Sequence, residues 1–200
     1  MIPKRVKQFY VNLTDKFTEE DEKYAQNLLD GFEYYLFMKI SNSEKKHSVR
    51  VSREFKKISE EIKLNKYSPT KDLLVEKNQT TENLKKIISK DGEEYINNFI
   101  IENEDLFIKA GLLHDVGKSK KRINIIEKSI IVILNKITSG KLKKSKNKKI
   151  QCYYRHSEYS ENMLKNHIKN KNLLDLIKNH HSSQTEDLKV LLFQVIDDRN

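Results

Sequence analysis

Proline and glycine are scarce, at 2 and 5 residues of 200. The punctuation that many strands and hairpins require is therefore missing. Cysteine occurs once, at Cys152. No disulfide can close within the chain, no thiolate cluster is available for a structural zinc, and no oxidising compartment is implied. The longest apolar run, from Ile123 to Ile137, is interrupted by Glu127 and Lys128 and is too short to span a bilayer. The opening stretch, MIPKRVKQFYVNL, lacks the continuous apolar segment of a secretory leader. These absences give the expectation of a cytoplasmic protein with no membrane partner.

Apolar residues nevertheless recur throughout at a spacing near 3.6, although the chain is only 36% hydrophobic and 34% charged. That pattern predicts a folded all-α helical bundle rather than disorder. The length suits a single domain over residues 1–200, with no internal repeat or clean linker. The net charge of +10 raises the question of RNA or DNA binding. A general richness in Lys, Asn and Ile explains the charge equally well. The dense basic run, Ser139 to Lys149, reads as a solvated surface loop.

Along the chain, residues 1–17 read as a polar lead-in. A helix starts at Thr18, with Asp21 as a capping-box partner and Tyr24, Leu28, Phe32 and Leu36 as its apolar stripe. A second helix begins near Ser43, whose side chain is expected to cap it. On it His47, Val51, Phe55, Ile58 and Ile62 share the inward face. Residues 64–102 carry a Ser-Pro breaker and turn formers, and read as an insertion over the surface with helix around Leu84 to Ile100. Leu106, Ala110 and Leu113 resume a helical stripe, and Gly117 reads as its C-terminal cap. The run Asn124 to Ile137, apolar on most sides, predicts a deeply buried helix. Three further helices follow the basic loop.

Five of the six histidines fall in significant places. They are His47, His114 beside Asp115, His156, and the pair His180 and His181. Asp197 and Asp198 end the last apolar segment. Imidazoles with carboxylates suit a divalent transition metal such as Mn, Fe, Co, Ni or Zn. Each residue also has a plain structural reading, as a hydrogen-bonded core histidine or a helix-end carboxylate. That reading must still explain why each of them begins or ends an apolar helix. His167 lies outside the pattern and reads as a surface histidine.

At these residues the chain resembles the HD-domain superfamily of metal-dependent phosphohydrolases, in particular its small bacterial single-domain members. HSVRVS resembles the first-histidine motif and GLLHDVGK the His-Asp-x-Gly-Lys form often called HDIG. HSEYSENML and IKNHH resemble the extra histidine motifs of members with two or more metals, and VIDDRN the closing aspartate segment. The stretch before the His-Asp helix is longer than usual, and Ser160 stands where many members have glycine. After His181 comes SSQTE, without the Asp-Gly-x-Gly-Tyr-Pro continuation of the cyclic-di-GMP phosphodiesterases. Motif register favours Asp197 as the last ligand, whereas Asp198 shares a helical face with Leu191 and Val195.

The resemblance implies a helical bundle with a metal site between helices, holding one or two ions. His47, His114, Asp115 and Asp197 would hold one ion, with Asp115 able to bridge. His156, His180 and His181 would complete a second site. Metal-activated water would then cleave a phosphomonoester, phosphodiester or phosphoanhydride, with a nucleotide as the expected substrate. Asp115 would serve the chemistry, while Lys118 and Arg50 would neutralise phosphate charge. Glu44, one turn before His47, reads either as a partner or extra ligand of the site or, more simply, as a first-turn acid favoured by the helix dipole, and the simpler reading is preferred. The alternatives are a metal- and nucleotide-binding sensor without turnover, and a basic nucleic-acid-binding module.

Overall fold

Every regular element among the described residues (15–75, 78–183 and 185–200) of the computed structural model is helical. Residues 1–14 of the polar lead-in lie outside them. In chain order the helices are α1 (Glu19–Leu28), α2 (Gly31–Met38), α3 (Asn42–Lys63), α4 (Pro69–Leu73), α5 (Gln79–Asp91), α6 (Glu93–Glu102) and α7 (Glu104–Leu113). A 3-10 turn (Val116–Lys120) leads to α8 (Ile125–Ile137), and a second one (Lys141–Lys144) to α9 (Lys148–Leu164). Helices α10 (Lys171–Asn179) and α11 (Leu188–Arg199) complete the chain. None is long and apolar enough to cross a membrane.

Thr18 and Asp21 form the expected capping box of α1. The single stripe Tyr24, Leu28, Phe32, Leu36 is not realised. Asp30 caps a new helix, receiving the Phe32 and Glu33 amides and forming its own box with Glu33. Local capping overrides the periodicity, so Leu28 and Phe32 are left 39% and 40% exposed while Leu29 and Phe37 turn inward. The next helix is capped by Ser41 rather than Ser43, with the Glu44 amide on the Ser41 hydroxyl.

Asp21 does more than cap. Its carboxylate is fully buried and accepts from Lys46 Nζ at 2.8 Å, Arg53 Nη1 at 2.8 Å and the Thr18 amide at 3.0 Å. Burial alone would raise its pKa; the Lys46 ammonium and the Thr18 bonds overcome this and hold it below the ordinary value. Asp21→Ala is expected to cost about 3–5 kcal/mol, the scale for breaking a buried ion pair. Because the folded-state pKa is depressed, the stabilisation is complete above about pH 4 and lost as acid protonates the folded form below it. Urea denaturation of wild type and variant at pH 7 and pH 3 checks both statements: the gap between them narrows at pH 3.

The centre of the bundle is α3 packed along α7. Phe55 stacks on Phe107 with centroids 4.6 Å apart, and Phe193 of α11 joins them at 5.7 Å from Phe55. The two helices approach closely because residue 111 is glycine: a Cβ there would lie 2.7 Å from the Ser52 amide nitrogen.

Three further sequence expectations are corrected. The described residues of 64–102 carry α4, α5 and α6, which pack into the bundle and do not lie over its surface. Leu73, Leu84, Ile96 and Ile100 are 2% exposed or less, and α5 packs against α11. Helix α8 forms as predicted but is not deeply buried. Ile126, Ile130, Ile133, Leu134 and Ile137 are 40–72% exposed, and Ile131 alone among its described side chains is buried. Its high apolar content reflects composition rather than depth. The basic stretch 139–149 is also more ordered than a loop, carrying the second 3-10 turn and the start of α9.

Candidate metal centre

Five helices converge to deliver the histidines and acids. His47 lies in the second turn of α3, inward as its spacing predicts, and His114 follows the last residue of α7, with Asp115 next in the chain. His156 is mid-helix in α9, His180 and His181 follow α10, and Asp197 sits near the end of α11. The sequence-predicted ligands meet. His47 Nε2 lies 2.8 Å from Asp197 Oδ1, and His114 Nε2 lies 3.3 Å from Asp115 Oδ2 and 3.4 Å from Asp197 Oδ1. His156 Nε2 lies 3.3 Å from Asp115 Oδ1 and 3.0 Å from His181 Nε2. His180 shares one potential ligand group with His156 and His181 and another with His114 and Asp197. Asp197 makes the approaches to His47 and His114.

The imidazoles are oriented alike. His114, His156 and His180 each bond through Nδ1 to the carbonyl three residues earlier, of Gly111, Tyr153 and Ile177, at 2.9, 2.8 and 2.7 Å. A carbonyl only accepts, so each Nδ1 carries the proton and Nε2 faces the cluster. There, His114 Nε2, His180 Nε2 and Asp115 Oδ1 are buried with no hydrogen-bond partner, a costly condition that a cation relieves. Ligands about 2.1 Å from a cation stand roughly 3.0–3.4 Å apart in octahedral or tetrahedral arrangement. Most of the separations here fall in that range. The residues fit a divalent transition metal, and their all-nitrogen-and-oxygen character suits several first-row ions.

Electrostatics agree. Burial, reinforced by neighbouring positive charge, pushes His156, His180 and His181 down to about 3, leaving neutral imidazoles. Burial would also lower His114, but Asp115 and Asp197 outweigh it and raise His114 to about 10. A bound cation takes that proton's place. Asp115 and Asp197 are held well below the ordinary carboxylate value, because His114 overcomes the opposing effect of burial.

Lys118 donates to Asp115 at 2.5 Å and to Glu44 at 2.7 Å. Glu44 is thus more than a first-turn helix acid: it anchors Lys118 beside the cluster. Burial would raise its pKa, but Lys118 and Lys128 bring it down to about 2. Arg50 is not brought in. Its guanidinium bonds Asp15 at 2.8 Å and the Asn200 carbonyl at 2.6 Å, tying α3 to the chain's last residue. One turn beyond His47 is enough to carry it past the cluster. His167 pairs with Asp30 at 2.6 Å, outside the site as expected.

Gly117 is not a helix cap either. It lies in the 3-10 turn after Asp115, pressed against α9, where a Cβ would stand 2.1 Å from the His156 carbonyl oxygen. Ser160 locks this approach: its hydroxyl accepts from the Gly117 amide at 2.8 Å and donates to the His114 carbonyl at 2.6 Å. The serine therefore ties the His-Asp segment to α9. Ser160→Ala leaves both buried backbone groups unpaired and is expected to cost about 1–3 kcal/mol, read as a lower denaturation midpoint at unchanged m-value.

The cluster opens into a cleft of about 960 Å³. His47, Asp115, Lys118, His156, His181, Asp197 and Asp198 line it, together with Lys128, Val132, Ile133, Asn135, Lys136, Lys143, Tyr153 and Tyr154. Sequence reading missed this second group because α8 was assigned to the core. The one available signal was the position of Tyr153, a helical turn before His156.

A family model of the HD domain matches residues 45–199. The chain belongs to the HD-domain family. Comparison with curated proteins and with solved structures gives no match. The matched stretch of the HD domain begins two residues before His47 and ends two after Asp197, so it encloses every donor described above. HD-domain proteins bind divalent metals and are typically phosphohydrolases, though some members are catalytically inactive.

Proposed function

We propose that this HD domain is a metal-dependent phosphohydrolase, cytoplasmic in location, that cleaves a phosphomonoester, phosphodiester or phosphoanhydride, most naturally of a nucleotide. The carrying observation is the convergence of His47, His114, Asp115, His156, His180, His181 and Asp197 at one end of an open, lysine-bearing cleft. His47, His114, Asp115 and Asp197 would hold one ion, and His156, His180 and His181 a second. A bound divalent cation supplies water activation and charge neutralisation at phosphorus. Asp115 orients the donors on either side of it. Lys118, kept cationic by Glu44 and Asp115, donates to a phosphoryl oxygen and offsets charge as the ester breaks.

The test is hydrolysis of a panel of phosphomonoesters, phosphodiesters and nucleotides by chelator-stripped protein reloaded with Mn, Fe, Co, Ni or Zn. Hydrolysis that disappears on stripping and returns on reloading supports the proposal. Stoichiometric metal without turnover on any of them overturns it in favour of a metal-binding sensor.

A further inference from the structure

The cleft is much larger than one phosphoryl group needs; its volume of about 960 Å³ stands at the upper end for small-molecule sites, about 300–1,000 Å³. Its charges are unevenly committed. Lys118 and Lys128, on the metal side, already lie 2.7 and 3.6 Å from the carboxylate of Glu44. Lys136, near the end of α8 and roughly 12 Å of helix beyond Lys128, and Lys143 in the second 3-10 turn line the same cleft. Neither has a carboxylate within ion-pair distance among the described residues. Lys143 instead stands 5.8 Å from the centre of the Tyr154 ring.

The same lining holds two buried polar atoms without a hydrogen-bond partner, Tyr154 Oη and Asn135 Oδ1. Leaving buried polar groups unpaired is costly in a free protein, and a bound polar ligand supplies the missing partners. Lys136, Lys143 and Tyr154 therefore place uncompensated positive charge and an unused hydrogen-bond donor together on the lining of the cleft that holds the metal donors. A monophosphate held at the metal centre would use none of them.

We infer that this part of the lining is a second anion subsite, and that the substrate carries at least two phosphate groups. One is presented to the metal centre, and another is held by Lys136 and Lys143, with the Tyr154 hydroxyl donating to a phosphate oxygen. The substrate class is a nucleoside polyphosphate or a bisphosphate, rather than a monophosphate ester of a neutral alcohol. The inference rests on the phosphohydrolase reading for the words substrate and metal centre; the subsite itself is a matter of binding.

The experiment is calorimetric titration of metal-loaded protein with inorganic tripolyphosphate and with orthophosphate, for wild type and for Lys136→Gln/Lys143→Gln. Metal content is measured on each preparation, and free metal is removed so that the polyanion does not act as a chelator. Wild type is expected to bind tripolyphosphate at least about tenfold more tightly than orthophosphate, the gain of one charge-assisted hydrogen bond. In the double variant that ratio is expected to fall towards one at unchanged metal stoichiometry. An equal ratio in both proteins, or no preference in wild type, overturns the subsite. Preference without turnover in the hydrolysis panel sinks the hydrolase and leaves the subsite standing. Turnover without preference does the reverse.

Discussion

Asp115→Ala protein is expected to lose more than about 100-fold in metal affinity, and with it all metal-dependent turnover, while keeping its helical circular dichroism. The magnitude is set above the 10–100-fold typical of supporting groups around a ligand, because this carboxylate is itself shared. One oxygen lies 3.3 Å from His114 and the other 3.3 Å from His156, so its removal strips a donor from both halves of the cluster. It also leaves Lys118 with Glu44 as its carboxylate partner. The fold survives because the apolar packing of α3 on α7 is untouched: Phe55, Phe107, Leu112 and Leu113 do not depend on Asp115. Inductively coupled plasma analysis after equilibrium dialysis reads the metal. Full metal content in Asp115→Ala would show that the ligand assignment is wrong.

Gly117→Ala is expected to be the most damaging small substitution in the chain. The new methyl would stand 2.1 Å from the His156 carbonyl oxygen and 2.5 Å from the Ser160 amide nitrogen. Both are helical backbone atoms and cannot rotate away, so the 3-10 turn must separate from α9. Overpacking of this kind costs about 1–3 kcal/mol and sometimes more; the upper end applies here, because the Gly117–Ser160 bond breaks as well. For a protein of this length 3 kcal/mol corresponds to roughly 6–12 °C in Tm. The same displacement moves Asp115 relative to His156, so metal affinity falls alongside stability. Thermal denaturation of the stripped and loaded proteins separates the two effects: wild type gains Tm on loading, and the variant gains little.

The pattern of what could be read beforehand has a physical basis. Helical periodicity placed His47 on the inward face of α3 because Val51, Phe55 and Ile58 share that face and are buried. The ordered histidines and aspartates were legible because each is attached to an apolar segment whose depth is itself legible. Periodicity failed where a local interaction or a missing neighbour decided the outcome. The Asp30–Glu33 capping box broke one expected helix into two. Helix α8 looks like a core helix from its isoleucines, but the bundle does not enclose it; no pattern internal to a helix reports what packs against it. Arg50 and Glu44 exchanged roles for a similar reason. Which end of a long side chain finds an ion pair depends on residues far along the chain, Asp15 and Asn200 for one and Lys118 for the other. Gly117 shows the same limit. Its conformation is ordinary, and its necessity lies in the approach of α9, some forty residues later.

The central claim is that this cluster of histidines and aspartates binds metal. The most direct measurement is a titration of chelator-stripped protein with Co(II), followed by visible absorption and checked by elemental analysis. One or two tightly held ions per chain, with d–d bands that are absent from the Asp115→Ala protein, are the predicted result. No saturable binding in a correctly folded wild-type protein would contradict the account, and would mean that the buried nitrogen and oxygen atoms around His114 are satisfied in some other way.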